Sequence, residues 1–167
     1  MPFLFLFLFV QLANGQQQDN QQFLVVVPEG ISLRAPGGVV IAHDLETPDE
    51  VFPPQVWEAY TTNTAGANVT MTIGRFLHQD FFIFRANSSI VLNVIESAPV
   101  ANWTTIVGQD ETTGFFGAAN STATVSAESF GPGSGRLSIT VSFIGPIFNV
   151  VAAGDYVATV VGQITNK

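Results

Sequence analysis

The stretch RLSITVSFI, residues 136–144, decides the fold class of this chain. Large apolar side chains occupy every second position, and serine or threonine fills the positions between them. This period of two is typical of a strand whose sheet buries one face and leaves the other face in water. The stretch therefore predicts an antiparallel β-strand with four side chains directed inward: Leu137, Ile139, Val141 and Phe143.

Similar short segments recur along the chain, and none shows a helical period over ten or more residues. The turn or bulge signal Pro36-Gly37-Gly38 interrupts one of them, and the proline-rich stretch 46–54 is predicted as a loop or edge segment. About eight or nine short strands at regular spacing are typical of a sandwich or a barrel, and we predict an all-β, antiparallel immunoglobulin-like β-sandwich. The predicted strand segments are 23–27, part of 31–43, 56–62, 67–73, 81–84, 88–97, 102–107, 121–129, 136–144 and 155–165.

Two of these segments, 56–62 and 67–73, are predicted to form a hairpin. The tetrapeptide NTAG connects them, and its Gly66 can adopt the positive φ that tight connections need. The sequence FGPGSG, residues 130–135, is predicted as a Gly/Pro turn that joins the two strands on either side of it.

The stretch AAGDYVATVVGQITNK, residues 152–167, contains the last predicted strand, with Tyr156, Val160 and Ile164 on its inner face. Its Gly-Asp-Tyr resembles the corner of immunoglobulin-like folds, in which a tyrosine hydroxyl bonds to nearby backbone. The strand is also similar to the last strand of bacterial secreted sandwich proteins, such as pilin subunits and spore-coat-U-like domains. That resemblance implies architecture alone and no functional residues. The chain departs from pilins because it lacks a disulfide and has Asn166, not an aromatic residue, in the penultimate position.

The first residues, MPFLFLFLFVQLANGQQQ, have the pattern of a secretory signal peptide. An unbroken apolar run is followed by small residues at Ala13 and Gly15, although no Lys or Arg precedes the run. We predict a signal peptide at 1–15, a flexible polar arm at 16–22 and a single β-sandwich domain at 23–167. The apolar run is too short to span a bilayer. We therefore predict a secreted or cell-surface protein with no transmembrane segment in its mature chain.

Composition excludes several classes of function. Thirteen acidic residues against five Lys and Arg give a net charge of −8, which would repel a phosphate backbone, so we expect no nucleic-acid partner. The chain has no cysteine, which excludes disulfides, thiol nucleophiles and thiolate metal sites. A hydrophobic content of 47% lets one domain of this length rely on its core instead.

Little in the sequence supports catalysis. General acid–base chemistry favours histidine or paired carboxylates, and the chain has two histidines, His43 and His78. Each has an aspartate one or two residues later, but no GxSxG nucleophile motif accompanies them. We predict that the protein is not an enzyme and needs no cofactor.

Two acidic clusters offer the alternative of a calcium site. The stretch HDLETPDE carries four carboxylates and GQDETTG carries two. Ca²⁺ takes about six to eight oxygen ligands, which loops of a secreted sandwich can supply. Neither stretch has the spacing of an EF-hand loop, and solvated acidic loops would give the same pattern. The candidate metal ligands are Asp44, Glu46, Asp49, Glu50, Asp110 and Glu111.

Two further roles depend on residue type alone. Four aromatic residues would suit a carbohydrate platform if exposed and a sandwich core if buried: Trp57, Tyr60, Trp103 and Tyr156.

Four Asn-X-Ser/Thr motifs would accept N-glycans in a eukaryotic secretory pathway, but the absence of cysteine favours a prokaryotic source, in which they mean little. These motifs begin at Asn68, Asn87, Asn102 and Asn120.

The N-terminal region favours an assembly role. The stretch QQQDNQQFLVVV joins a flexible tether to a short, strongly β-prone strand, which could add to the sheet edge of another copy or pair within its own domain. We therefore predict an exported, non-enzymatic structural or surface-interaction protein whose partners are itself or other surface proteins. Strand addition is the predicted route to self-assembly. The alternative function is a secreted calcium- or carbohydrate-binding module.

Overall fold

The computed structural model describes residues 21–114, 120–145 and 152–167. The predicted signal peptide and most of the polar arm lie outside the described residues. Within them the chain forms twelve β-strands and no helix. The strands are β1 (Ile31–Arg34), β2 (Asp49–Val51), β3 (Gln55–Thr61), β4 (Ala67–Gly74), β5 (Phe76–His78), β6 (Arg85–Ser97), β7 (Thr104–Val107), β8 (Gln109–Glu111), β9 (Thr122–Glu128), β10 (Gly133–Ile144), β11 (Tyr156–Val157) and β12 (Val160–Asn166).

The strands form two antiparallel sheets. The larger sheet has the order β1-β3-β10-β6-β5-β11, with β2 paired to β10 and β8 paired to β6. The smaller sheet has the order β12-β4-β9-β7. The buried faces of the two sheets pack on each other in one cluster. The predicted all-β, antiparallel sandwich-like fold is therefore confirmed.

Strand β10 is the centre of the larger sheet. It pairs with β3 over Gly133–Ile139 and with β6 over Gly135–Ile144. Its inner face is the one that the alternation predicts: Leu137, Ile139 and Phe143 are buried, and Val141 packs against the core.

Alternation of apolar residues also supplies the rest of the core. Strand β4 buries every second residue from Ala67 to Ile73, and β9 buries alanine and valine at the same spacing. The larger sheet contributes Trp57, Ala59, Ile90, Leu92, Leu137 and Ile139, and the smaller sheet contributes Ala67, Val69, Met71, Ile73, Ala123, Val125 and Ala127. A second, smaller cluster lies at one end of the sandwich and contains Phe76, Ala86 and Phe143.

The predicted hairpin between 56–62 and 67–73 is wrong, because β3 and β4 belong to different sheets. Both strands exist, but the NTAG connection carries the chain across the core. The side chain of Asn63 accepts from the Ala65 N–H at 2.7 Å, and Gly66 has a φ of 93°. The Ala67 N–H then donates to the Ser129 hydroxyl at 2.8 Å, which holds the crossing against the chain after β9. The predicted turn 130–135 is shorter than expected, because Gly133–Gly135 already belong to β10. The connection that precedes them crosses between the sheets in the same way, from β9 to β10.

Two predicted strands are wrong. Residues 23–27 form no strand and lie exposed. Residues 81–84 form a turn, in which the Phe84 N–H donates to the Phe81 carbonyl at 2.9 Å. The rings of Phe81 and Phe84 pack against His78 and do not take part in a sheet.

Four short strands lie where the sequence suggests no strand or one continuous strand. One of them is β5, which no predicted segment covers and which pairs with β6 and β11. The stretch 46–54 contains β2, which pairs with the end of β10 at the sheet edge. The acidic loop 108–114 contains β8, which pairs with β6. The last predicted strand is divided into β11 and β12, which belong to different sheets.

The inner face of this last segment is the predicted one, although it is only half-buried. Tyr156, Val160 and Ile164 pack against the two clusters, and Val161 on the opposite face is exposed. Burial is partial because β12 pairs on one side only, with β4. No helix of the described residues has the length and apolar character that crossing a membrane requires.

Candidate functional site

The two sheets separate along one side of the sandwich and leave a groove. Next to the groove, on the same side, the edge strands β1 and β12 contact each other. They are so close that a Cβ placed on Gly162 of β12 would lie 2.9 Å from Leu33 and 2.5 Å from Trp57. Beyond Arg34 the chain leaves the sheet and continues outside any strand to residue 48. The sheets are therefore closed beside β1 and open beyond it, where a cavity of about 920 Å³ lies between them. We call this cavity the side groove.

The floor of the side groove is part of the hydrophobic core. One wall is the non-strand segment 35–41, and the other is the segment 152–160. Because these elements are far apart in sequence, no local motif marks the groove. The apolar side chains that line its floor are Phe52, Trp57, Ile73, Phe76, Ile139, Val141 and Phe143.

A connected group of aromatic rings forms one end of the groove. The Phe143 ring packs edge-on against Tyr156, with centroids 5.4 Å apart, and against His43 at 5.8 Å. It also contacts Phe76 at 5.3 Å, and Phe76 stacks on Phe52 at 5.7 Å. Edge-on and stacked rings hold one another in place. This end of the groove is therefore a preformed aromatic surface.

Tyr156 connects this surface to the backbone. Its hydroxyl donates to the Ala152 carbonyl at 3.2 Å, which is the kind of local hydrogen bond that the Gly-Asp-Tyr corner implies. Burial raises the pKa of the Tyr156 phenol above its ordinary value of 10.0, because burial disfavours the charged form.

We expect the stabilisation by neutral Tyr156 to be complete below pH 10.0 and to be lost as the pH rises through the folded-state pKa. Ultraviolet titration of wild type and Tyr156→Phe isolates this phenol by difference, and its midpoint should lie above 10.0. Tyr60→Phe is the matched control and should keep the absorbance change whose midpoint lies above pH 10.0. If that absorbance change survives in Tyr156→Phe, it does not come from the Tyr156 phenol.

A polar corner adjoins the aromatic rings and contains three of the chain's ionisable side chains. The Nδ1 atom of His43 lies 3.5 Å from Oε1 of Glu50 and accepts the Leu45 N–H at 3.0 Å. Oε1 of Glu50 also accepts the Asp44 N–H at 2.8 Å. The Glu46 N–H donates to the Asp44 carboxylate at 2.8 Å, and this bond holds the pKa of Asp44 below its usual value.

The structure brings together two of the four candidate metal ligands in the first acidic cluster. One ligand atom from each of His43, Asp44 and Glu50 lies within 4.8 Å of the others, a spacing at which one cation could contact all three. Asp49 is used elsewhere, because its carboxylate accepts the Gly145 N–H at 3.0 Å. Glu46 is exposed and outside this group. The nitrogen ligand of His43 suits a transition metal better than calcium.

The second acidic cluster lies at a different place, on β8. Asp110 accepts the Glu111 N–H and the Thr124 N–H at 2.8 and 2.7 Å, so its carboxylate ties β8 to β9. Glu111 is exposed. Asp110 therefore has a structural role in joining the two sheets, and neither Asp110 nor Glu111 belongs to the group at the polar corner.

The four aromatic residues considered for a sugar platform do not share one exposed surface. Trp103 is buried with 3% of its surface exposed, and Trp57 is buried with 8% exposed at the groove floor. Tyr60 is exposed, and Tyr156 belongs to the ring cluster of the groove. The indoles are core residues and are not available as a flat sugar-stacking surface.

His78 is a buried structural residue. Its Nδ1 atom accepts the N–H groups of Asp80 and Phe81 at 3.1 and 3.2 Å, and its Nε2 lies 3.1 Å from the Ala153 carbonyl. Both ring nitrogens are therefore occupied by backbone. A Cβ on Gly154 would lie 2.2 Å from Nε2, so glycine lets the segment before Tyr156 approach the ring.

The glycosylation motifs differ in exposure. Asn68, Asn102 and Asn120 are exposed, whereas Asn87 is buried and accepts the Thr112 hydroxyl at 3.4 Å. Asn87 therefore cannot carry a glycan in the folded domain.

An apolar segment that is unpaired in the described part of the chain lies before β1, where the sequence predicts a strand that pairs within the domain or adds to another copy. The side chains of five consecutive apolar residues, Phe23, Leu24, Val25, Val26 and Val27, have 72–83% of their surface exposed. We call Phe23–Val27 the exposed segment. Its β-prone composition predicted a strand, but no strand of the described residues pairs with it.

Comparisons with known proteins give no family assignment. No protein-family model matches the chain, and a search of curated proteins finds no match to it.

Proposed function

We propose that the chain is an exported, non-enzymatic structural or surface-interaction protein that assembles with copies of itself by strand addition. The observation that carries this proposal is the exposed segment Phe23–Val27. Export is supported by the apolar run and small residues at 3–15, and an assembly role by the low charge of the chain, 11% of its residues.

The exposed segment has an unusual amount of apolar surface in water. Fully burying one Val, Leu or Phe side chain stabilises a protein by about 1.5–3 kcal/mol, and five such side chains stand here in sequence. Large contiguous apolar surfaces on soluble proteins mark interaction sites. Burial of these side chains by a partner would therefore supply a large share of the free energy of association.

A suitable acceptor is the edge of β12 that faces away from β4. This edge contacts β1 but is not hydrogen-bonded to it as a strand pair. With seven residues β12 is the longest edge strand in the described part of the chain, and it is hydrogen-bonded to β4 on one side. Its sequence, Val160–Asn166, has no charged residue and no proline, which are the features that usually protect sheet edges from pairing. A strand from another copy can add to such an edge through backbone hydrogen bonds.

The exposed segment and the β12 edge are different surfaces of one chain. Contacts between different surfaces produce rings if the rotation closes and open filaments if it does not. The proposal therefore predicts assembly that increases with concentration. It ends at a fixed size if the contacts close and continues if they do not.

We expect the chain that begins at Gln16 to form concentration-dependent oligomers in sedimentation velocity, and Val25→Asp to weaken assembly roughly tenfold or more. The reason is that the carboxylate would have to leave water at the new strand pair. Val100→Asp is the matched control, because Val100 is a single exposed valine outside the segment.

The same runs with Ca²⁺ and with chelator test the alternative module that binds calcium. A monomer at every concentration, or a Val25→Asp variant that assembles like wild type, would reject the assembly proposal. Assembly that depends on Ca²⁺ would favour a role for the carboxylates of the polar corner.

A further inference from the structure

We propose that the side groove binds an aromatic small molecule that is uncharged or cationic. This inference does not depend on self-assembly. It rests on the size of the groove, on its aromatic surface and on the charges at its rim.

The size and lining of the groove are those of a ligand site. Its volume of about 920 Å³ falls within the range of about 300–1,000 Å³ that is typical of small-molecule pockets. The lining combines an apolar floor with a few polar groups, which is the usual composition of such sites. The rings of Phe52 and Tyr156 are only partly buried, and they are held from beneath by the buried rings of Phe76 and Phe143. An aromatic ligand therefore meets a surface that is already formed.

The charges at the groove select against anions. The acidic side chains that line it in the described part of the chain are Glu50 and Asp155, and no Lys or Arg lines it there. The chain as a whole carries a net charge of −8. An anionic ligand would approach two carboxylates without a fixed cation, whereas an amine could donate to them and interact with the aromatic faces.

One wall of the groove can adapt to a ligand. Residues 35–41 belong to no strand, and positions 37 and 38 are glycines whose added Cβ would meet no atom within 4 Å. This wall can therefore shift without breaking a sheet. The polar corner at Glu50 and His43 is fixed by hydrogen bonds to backbone and would orient the ligand.

A matched pair of fluorescent probes tests the proposal. N-phenyl-1-naphthylamine and 1-anilinonaphthalene-8-sulfonate share one ring system and differ by an anionic sulfonate. We expect saturable binding of the amine at one site per chain, with a Kd roughly tenfold or more below that of the sulfonate. Glu50→Gln should narrow this difference by improving sulfonate binding, because it removes one of the two carboxylates that repel the sulfonate. The amide keeps an oxygen that can accept the Asp44 N–H, so the corner keeps its structure.

Two substitutions locate the bound probe. Val39→Trp, on the groove wall, should raise the Kd of the amine roughly tenfold, and Ile106→Trp, an exposed position on β7, should leave it unchanged. Thermal melting of each variant shows that the fold is kept. Equal affinity for both probes, or no effect of Val39→Trp, would overturn the proposal.

The exposed segment could also attract a hydrophobic probe, so Val25→Asp is measured in parallel. Loss of amine binding in Val25→Asp would place the probe on that segment and reject the groove as its site. Release of the amine as oligomers form would mean that a neighbouring copy fills the groove, which also rejects a small-molecule ligand. Sedimentation velocity reports assembly separately, so the two proposals can fail independently.

Discussion

Replacing Gly66 by alanine is expected to lower the free energy of unfolding by about 2–4 kcal/mol, a large share of the roughly 5–15 kcal/mol that stabilises a typical domain. The φ of Gly66 is 93°, and an L-residue in left-handed conformation costs about 1–2 kcal/mol. The added Cβ would also lie 2.0 Å from the Ser129 carbonyl oxygen.

The clash adds to this cost because it acts on backbone. Ser129 exchanges two hydrogen bonds with Ala67, one from its N–H and one to its hydroxyl, both 2.8 Å long. Moving Ser129 away from the new methyl group would weaken bonds that contribute about 1 kcal/mol each. The substitution therefore disturbs the point at which the chain crosses from β3 to β4.

Gly74→Ala is the matched control at the other end of the same strand. No atom lies within 4 Å of its added Cβ, and its backbone has no positive φ. We expect a change within about 1 kcal/mol, because a compatible Gly→Ala substitution mainly reduces the entropy of the unfolded chain. Urea unfolding of the two variants is the measurement. Equal midpoints would show that the crossing does not depend on glycine at position 66.

Leu137→Asp is expected to prevent folding. Leu137 is 0% exposed in the middle of β10, between β3 and β6, and the buried residues in the described part of the chain include no Lys or Arg. The variant must bury an unpaired carboxylate or protonate it, and it also loses the apolar contacts of leucine. Each of these effects costs several kcal/mol, so their sum approaches the whole stability of a domain.

Ser138→Asp is the control for this variant, because Ser138 lies on the opposite face of the same strand and is only half-buried. We expect Ser138→Asp to remain folded, with cooperative thermal melting followed by circular dichroism. A cooperatively melting Leu137→Asp protein would show that the inner face of β10 is not the core of the sandwich.

The strands that could be predicted are those with long, one-sided alternation. Strands β4, β9 and β10 each bury every second residue, so the sequence contains the face that folding must cover. The assignment of strands to sheets could not be predicted, because a short connection such as NTAG fits a hairpin as well as a crossing. Its direction depends on contacts with Ser129, which lies far along the chain.

The two wrongly predicted strands have a common cause. Both 23–27 and 81–84 are rich in Phe, Ile, Leu or Val, which favour strands wherever a partner strand is available. Residues 81–84 turn around His78 instead, and residues 23–27 have no partner strand in the described part of the chain. Propensity measures suitability for a sheet, but pairing depends on the rest of the fold.

The candidate site was less accessible to sequence reasoning than the fold. Carboxylates can be counted in a sequence, but only the structure distinguishes Asp44 and Glu50, which share a corner with His43, from Asp49 and Asp110, which accept backbone hydrogen bonds elsewhere. The side groove has no motif, because its lining comes from strands and connections spread over most of the chain.

The crossings between sheets also determine when the protein can fold. Strand β4 pairs with β9 and β12, both of which are synthesised much later, and Lys167 donates to the Gly66 carbonyl beside the first crossing. Pairing of residues so distant in sequence is typical of domains that fold in about milliseconds to seconds. The smaller sheet therefore stays incomplete until residues 160–166 have been made. An emerging chain would therefore lack a complete core through most of its synthesis.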